Sequence, residues 1–161
     1  MKVMIFSILL GVSIIGLYAL KVFSPNPDVA QNSRKQTLNS LKVAIHRANE
    51  RVHQRAQNEN ADYGSAEIEM NGVQVGVLNG YLKATQIDID NGMDLLFDAK
   101  DSTHSASSAW VIDEQEALLE EPAQVIVHQS EAPDNCFLMY TEAGVINQPA
   151  PATSIVVDSG C

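Results

Sequence analysis

Cationic residues all but vanish after the first third of this chain. Lys83 and Lys100 are the only Lys/Arg beyond Arg55, whereas eighteen of the twenty Asp/Glu lie there. So acidic a surface repels phosphate backbones, which excludes nucleic acid as its partner. Cysteine is scarce too, with only Cys136 and Cys161, and no His lies near either in sequence. Two thiols are too few for a structural metal site. Catalytic signatures are missing: there is no G-x-S-x-G, P-loop, H-E-x-x-H or C-x-x-C. Ser, His and Asp occur without a spacing that ties them into a triad. The chain therefore reads as neither an enzyme nor a cofactor binder. Aromatics make up 6% of it, with one tryptophan, Trp110, which reads as a core or sheet-face anchor rather than an exposed contact.

What is present is a long apolar start. Val3, Met4, Ile5, Phe6, Ser7, Ile8, Leu9, Leu10, Val12, Ile14, Ile15, Leu17 and Leu20 belong to an uncharged run of about 18 residues. About 20 are needed to span a bilayer core, and Val22 and Phe23 extend the run past Lys21, which can snorkel. Residues 1–23 therefore read as a retained membrane or polymerisation helix. A cleavable signal peptide is the rival reading, with Lys2 as its charged end, but no A-x-A-like cleavage site follows. Residues 24–33, with Pro25 and Pro27, read as a linker or kink, because proline restricts its neighbour and donates no hydrogen bond.

Residues 34–161 read as one globular head, which opens with an amphipathic helix over 34–56. Leu38, Leu41, Ile45, Ala48, Val52 and Ala56 recur at steps of three and four, one apolar stripe for packing on a sheet. Arg47, Arg51 and Arg55 form a basic row at four-residue spacing. That row reads as a solvated face or as an attractant for the acidic head of a neighbouring copy. His46 and His53 are seven apart, the wrong spacing for a helical metal pair, and read as surface or boundary residues.

The rest of the head is β-rich. Ala66–Met70 and Val73–Leu78 alternate with period two around Asn71-Gly72, a type I′ hairpin signal. Ile68, Met70, Val73, Val75 and Val77 are expected to face the core, and Asn79-Gly80 marks a second turn. Residues 84–98 read as a short helix, capped by Thr85 with Asp88 and burying Ile87, Met93 and Leu96. Asp88, Asp90, Asp94 and Asp98 suggest calcium, but Met93 stands where an EF-hand loop needs Gly and Ala99 where it needs Glu. Short strands follow around Trp110, at QVIVH (124–128), CFLMYT (136–141) and SIVV (154–157). A cysteine pair behind a membrane-directing segment reads as a disulfide in an oxidising compartment. The loop it closes, about 26 residues, corresponds to roughly 3.5 kcal/mol in the loop-entropy account.

Three blocks of residues resemble type IV pilins of the mannose-sensitive haemagglutinin kind. The first is Thr37-Leu38 with Lys42-Val43-Ala44 and Ala48-Asn49. The second runs from Asn71-Gly72-Val73-Gln74-Val75 through Asn79-Gly80-Tyr81 and Ala84-Thr85 to Met93-Asp94-Leu95. The third is Asn135-Cys136, Tyr140-Thr141-Glu142, Ser154-Ile155-Val156-Val157 and Ser159-Gly160-Cys161. The resemblance implies an α+β fold. A long N-terminal helix, apolar in its first half, packs on an antiparallel β-sheet, and a C-terminal disulfide loop pins the last strand. The start departs from the family pattern. Lys2 stands at the glycine before the processing point, Val3 at the mature start and Ser7 at the usual glutamate. Leu82 stands where a proline commonly follows the tyrosine.

The same resemblance implies a structural subunit, major or minor, of a pilus-like fimbrial filament that serves cell adhesion or surface attachment on a bacterial surface. Its partners would be other pilin subunits, the inner membrane before assembly and the pilus assembly machinery. The head would lie in the periplasm and then on the filament. The alternative is a membrane-anchored, periplasm-facing binding domain of the same fold that does not polymerise.

Overall fold

The computed structural model describes residues 27–93, 95–100, 108–118, 121–144 and 150–161. The run Val3–Leu20, with Ser7, lies outside them, as do Pro25, Asp94 and His104. Among the described residues no helix is long and apolar enough to cross a membrane. The chain divides into two units, Met1–Ser33 and Arg34–Cys161, and the core lies within the second.

Helix α1 spans Pro27–Glu59. It thus starts inside the stretch read as a linker, and residues 27–33 are helical. Proline is tolerated at a first helical position because its φ is already suitable and its missing N–H would go unpaired there anyway. Asp28 in the first turn complements the helix dipole. The other end closes on Asn60, whose φ is +57°. Asn60 N–H donates to Gln57 O (3.3 Å) and Ala61 N–H to Ala56 O (2.8 Å), the paired bonds of a Schellman stop.

The first sheet is β1 (Ser65–Met70), β2 (Val73–Leu78) and β3 (Tyr81–Leu82), antiparallel in that order. Both connections are Asn-Gly turns with every φ positive: Asn71 and Gly72, then Asn79 and Gly80. That twist matches the strands they join. Ile68, Val75 and Val77 are buried, Met70 is half-buried, and Val73 is 41% exposed next to the turn. Val73 pairs with Met70 at the hairpin's tip, where it borders an open depression with Asn91 and Leu95.

Helix α2 (Gln86–Met93) is shorter than its sequence suggests, and it turns a different side inward. Ile89 and Met93 are buried, and Phe97 joins them from beyond the helix. Ile87 is 66% and Leu96 79% exposed, contrary to the expected buried face. The anchor is the cap. Asp88 N–H donates to Thr85 Oγ1 (3.3 Å), and Asp88 Oδ1 accepts Gly76 N–H across on β2 (2.5 Å). With Asp88 tied to β2, Ile89 falls on the core and Ile87 on the opposite side.

The second sheet orders β4 (Asp98–Ala99), β5 (Trp110–Gln115), β6 (Gln124–Gln129), β7 (Phe137–Thr141) and β8 (Thr153–Val157). Only β4–β5 is parallel. Ile112, Val127, Leu138 and Val156 lie in one cross-strand row on the inner face. Trp110 is half-buried against the core from the start of β5.

One core joins these elements. Leu38, Leu41, Ile45, Ala48, Val52 and Ala56 of α1 meet Ile68, Val75, Val77 and Leu82 of the first sheet. They also meet Ile112, Val125, Val127, Leu138 and Tyr140 of the second. Each fully buried Leu, Ile or Val in that set contributes about 1.5–3 kcal/mol. The architecture is α+β: an N-terminal helix packed on antiparallel strands, with a C-terminal disulfide.

Candidate functional site

Long-range side-chain hydrogen bonds converge where α1 crosses the junction of the two sheets. Leu82 in β3 is the key. Lys83 N–H donates to Gly76 O (3.1 Å), so the preceding Leu82 turns its own N–H and C=O away from β2. No strand among the described residues pairs with that side of β3. Instead Leu82 N–H donates to Asn49 Oδ1 of α1 (3.0 Å), and Leu82 O accepts the Tyr140 hydroxyl of β7 (2.7 Å). Asn49 Oδ1 also lies 3.2 Å from that hydroxyl. Tyr140 has a single phenolic proton, so the shorter contact to Leu82 O takes it. Burial pushes the Tyr140 phenol up well beyond the usual tyrosine range. Asn49 opposes that shift, while Glu142 and Tyr81 add to it.

Two further side-chain stitches run along the same junction. Glu142 Oε2 accepts Ala84 N–H (3.2 Å) and its Oε1 accepts Ala123 N–H (3.3 Å). Asn79 Nδ2 donates to Gly144 O (2.6 Å), while Asn79 Oδ1 accepts Gly64 N–H (2.9 Å). Side chains thus satisfy backbone groups that a continuous sheet would pair directly.

Beside this junction is an open groove of about 490 Å³. Ile45, Asn49 and Tyr140 belong to its floor and inner wall, with Lys42, His46 and Glu50 along the helix rim and Pro151–Ser154 opposite. His53 and Tyr81 close one end as a stacked pair, with centroids 4.6 Å apart. His53 Nδ1 lies 3.3 Å from Gly80 O and Nε2 3.0 Å from the Gln57 amide. A carbonyl can only accept, so the arrangement that satisfies both contacts puts the proton on Nδ1. His53 is therefore a positioned half-buried group, whereas His46 is exposed and pairs with Glu50 at 3.4 Å. The groove thus combines an aromatic end wall with a mixed polar rim, a lining that can hold a small ligand.

The remaining residues singled out by sequence fall elsewhere. Cys136 and Cys161 are bonded, their Cα atoms 4.8 Å apart, and both are buried in the core without lining the groove. Gly160 is needed beside them: a Cβ there would collide with Asp134 O, and Gly160 N–H donates to Asn135 O (2.9 Å). Three of the four aspartates that suggested calcium hold backbone amides instead. Asp88 takes Gly76 N–H, Asp90 takes Phe97 N–H (3.2 Å) and Asp98 takes Ser108 N–H (2.6 Å). Among the described residues no group of three or more His, Cys, Asp or Glu is placed to hold a metal.

No family model, curated protein or solved structure matches this chain.

The junction was partly visible in sequence. Asn49 and Tyr140-Thr141-Glu142 stand out as residues of the resemblance blocks, but nothing local said that they converge on Leu82. His53 read as an ordinary boundary residue, because its partner Tyr81 is 28 residues away.

Proposed function

We propose that this protein is a structural subunit, major or minor, of a type IV pilus-like cell-surface filament that acts in adhesion or surface attachment. The observation that carries the reading is one arrangement: an amphipathic helix buried across antiparallel strands, with the segment after the last strand pinned by Cys136–Cys161. In sequence that helix follows the uncharged run Val3–Leu20. Such a run needs burial either in lipid or among neighbouring helices, so one segment serves as an anchor before assembly and as filament core afterwards. The disulfide fits a head outside the cytoplasm. The helix–junction groove favours a second reading, a tethered binding domain that never polymerises.

Shearing cells that express the protein separates the two. A filament subunit is recovered in the sheared fraction, and a tethered domain stays with the membrane. Recovery only in the membrane fraction would overturn the filament reading. Ser7→Glu restores the carboxylate that pilins carry at this position, and the expected outcome is greater incorporation into sheared filaments. No increase would show that the missing carboxylate does not limit assembly.

A further inference from the structure

Many charges of this head are spent internally, and among those that are not, two rows match. Asp113 pairs with Lys100, Asp158 with Lys35 and Glu59 with Arg55. Asp88, Asp90, Asp98, Glu114 and Glu142 hold backbone N–H groups. Glu67 and Glu69 have no such partner among the described residues. They are exposed on β1, on the face opposite the buried Ile68. The other partnerless carboxylates sit in turns and loops, so these two are the acidic pair presented by a regular element.

The complement is on α1. Arg47, Arg51 and Arg55 are exposed at four-residue spacing. Arg47 has no partner among the described residues, Arg51 makes one long contact to Gly92 O (3.5 Å), and Arg55 reaches only Glu59, one turn on. Residues four apart on a helix rise about 6 Å, and alternate residues on a strand about 6.6 Å. The two rows are therefore commensurate. They cannot meet within one copy, because Ile68 packs toward α1 and turns Glu67 and Glu69 to the far side of the sheet.

We infer that the Arg47–Arg51–Arg55 row of one copy docks on Glu67 and Glu69 of a second copy of this chain. The two patches differ and are complementary, so copies joined head-to-tail leave one patch free at each end and can extend, as a filament requires. It gives register and orientation more than raw affinity, because the pairs stay near solvent. The inference deepens the filament reading and rests on it for where the copies meet.

The test uses the full chain in two differently tagged forms, purified together in detergent, with recovery of one tag on the other as the readout. R47E/R51E and E67K/E69K are each expected to lose self-recovery by about tenfold. A mixture of the two variants is expected to recover it, because the reversed helix row faces the reversed strand. Net charge makes the second variant decisive. E67K/E69K lowers the magnitude of the chain's −10 charge, so general repulsion alone would raise its self-association. Unchanged or increased self-recovery of E67K/E69K, or a mixture no better than its parents, overturns the proposal. Should a reversal unfold the head, R47Q/R51Q and E67Q/E69Q replace it, each expected to weaken recovery about threefold. No weakening in either overturns it equally. Charge dependence without sheared filaments would sink the filament reading and leave this contact standing. Sheared filaments indifferent to both reversals would do the opposite.

Discussion

The N–H and C=O of Leu82 point to a side of β3 with which no described strand pairs, and Asn49 and Tyr140 take them up from two different elements. Asn49 is only 7% exposed, so water cannot stand in for it readily. Asn49→Ala leaves the Leu82 N–H unsatisfied, and Tyr140→Phe leaves the Leu82 carbonyl so. Each is expected to cost about 1–3 kcal/mol in denaturant unfolding with the disulfide intact. The two changes share a partner, so the double mutant should lose less than the sum. Tyr140 also sets an alkaline limit. Burial holds its proton in the native state to higher pH than in the unfolded chain, where tyrosine titrates near pH 10. Below about pH 10 both states are protonated and the contribution is complete. Above it the native state binds more protons than the unfolded one, and stability falls as pH rises. Unfolding measured from about pH 8 to about pH 11 should show a flatter alkaline limb in Tyr140→Phe than in the wild type. An identical slope would remove Tyr140 as its cause.

Elements differ in how plainly the sequence announces them. The stripe from Leu38 to Ala56 is legible because a 3.6-residue period over five turns fixes one face, whatever packs on it. The hairpins are legible because Asn-Gly demands positive φ at both residues and permits little else. Helix α2 is not, because eight residues hold too few apolar positions for period to decide between Ile87 and Ile89. A contact remote in sequence decides instead, the carboxylate of Asp88 on the backbone of Gly76. Linkers are also hard to read from proline alone, since Pro27 opens α1 rather than interrupting it. The inward side of α2 can be tested directly. Ile89→Ala should cost about 2–5 kcal/mol by opening the core, while Ile87→Ala should stay within about 0.5 kcal/mol. Equal losses at the two positions, measured by thermal or denaturant unfolding, would mean that α2 turns both isoleucines equally toward the core.

At the scale of the whole head, the question is how two separate sheets share one core without a common ladder. The helix supplies the apolar half of the answer, since its stripe touches both sheets. The polar half rests heavily on one side chain, for Glu142 is the residue that holds backbone amides on both sides of the junction, at Ala84 after β3 and at Ala123 before β6. Hydrogen bonds to a charged acceptor contribute about 1.5–3 kcal/mol each when well made, and these two are long, so about 2 kcal/mol in total is the expected loss in Glu142→Ala. The pattern of that loss matters more than its size. If Glu142 joins two otherwise independent sheets, its removal should speed native-state hydrogen exchange at Ala84 and Ala123 beyond what the global destabilisation explains. Exchange within the β1–β2 ladder should follow the global change alone, because that hairpin is closed by its own backbone bonds. Uniform acceleration across both sheets would mean that the junction is held by the helix core, with Glu142 incidental to it. Local acceleration confined to those two amides would make the junction the hinge of the head, next to the groove lined by Asn49 and Tyr140.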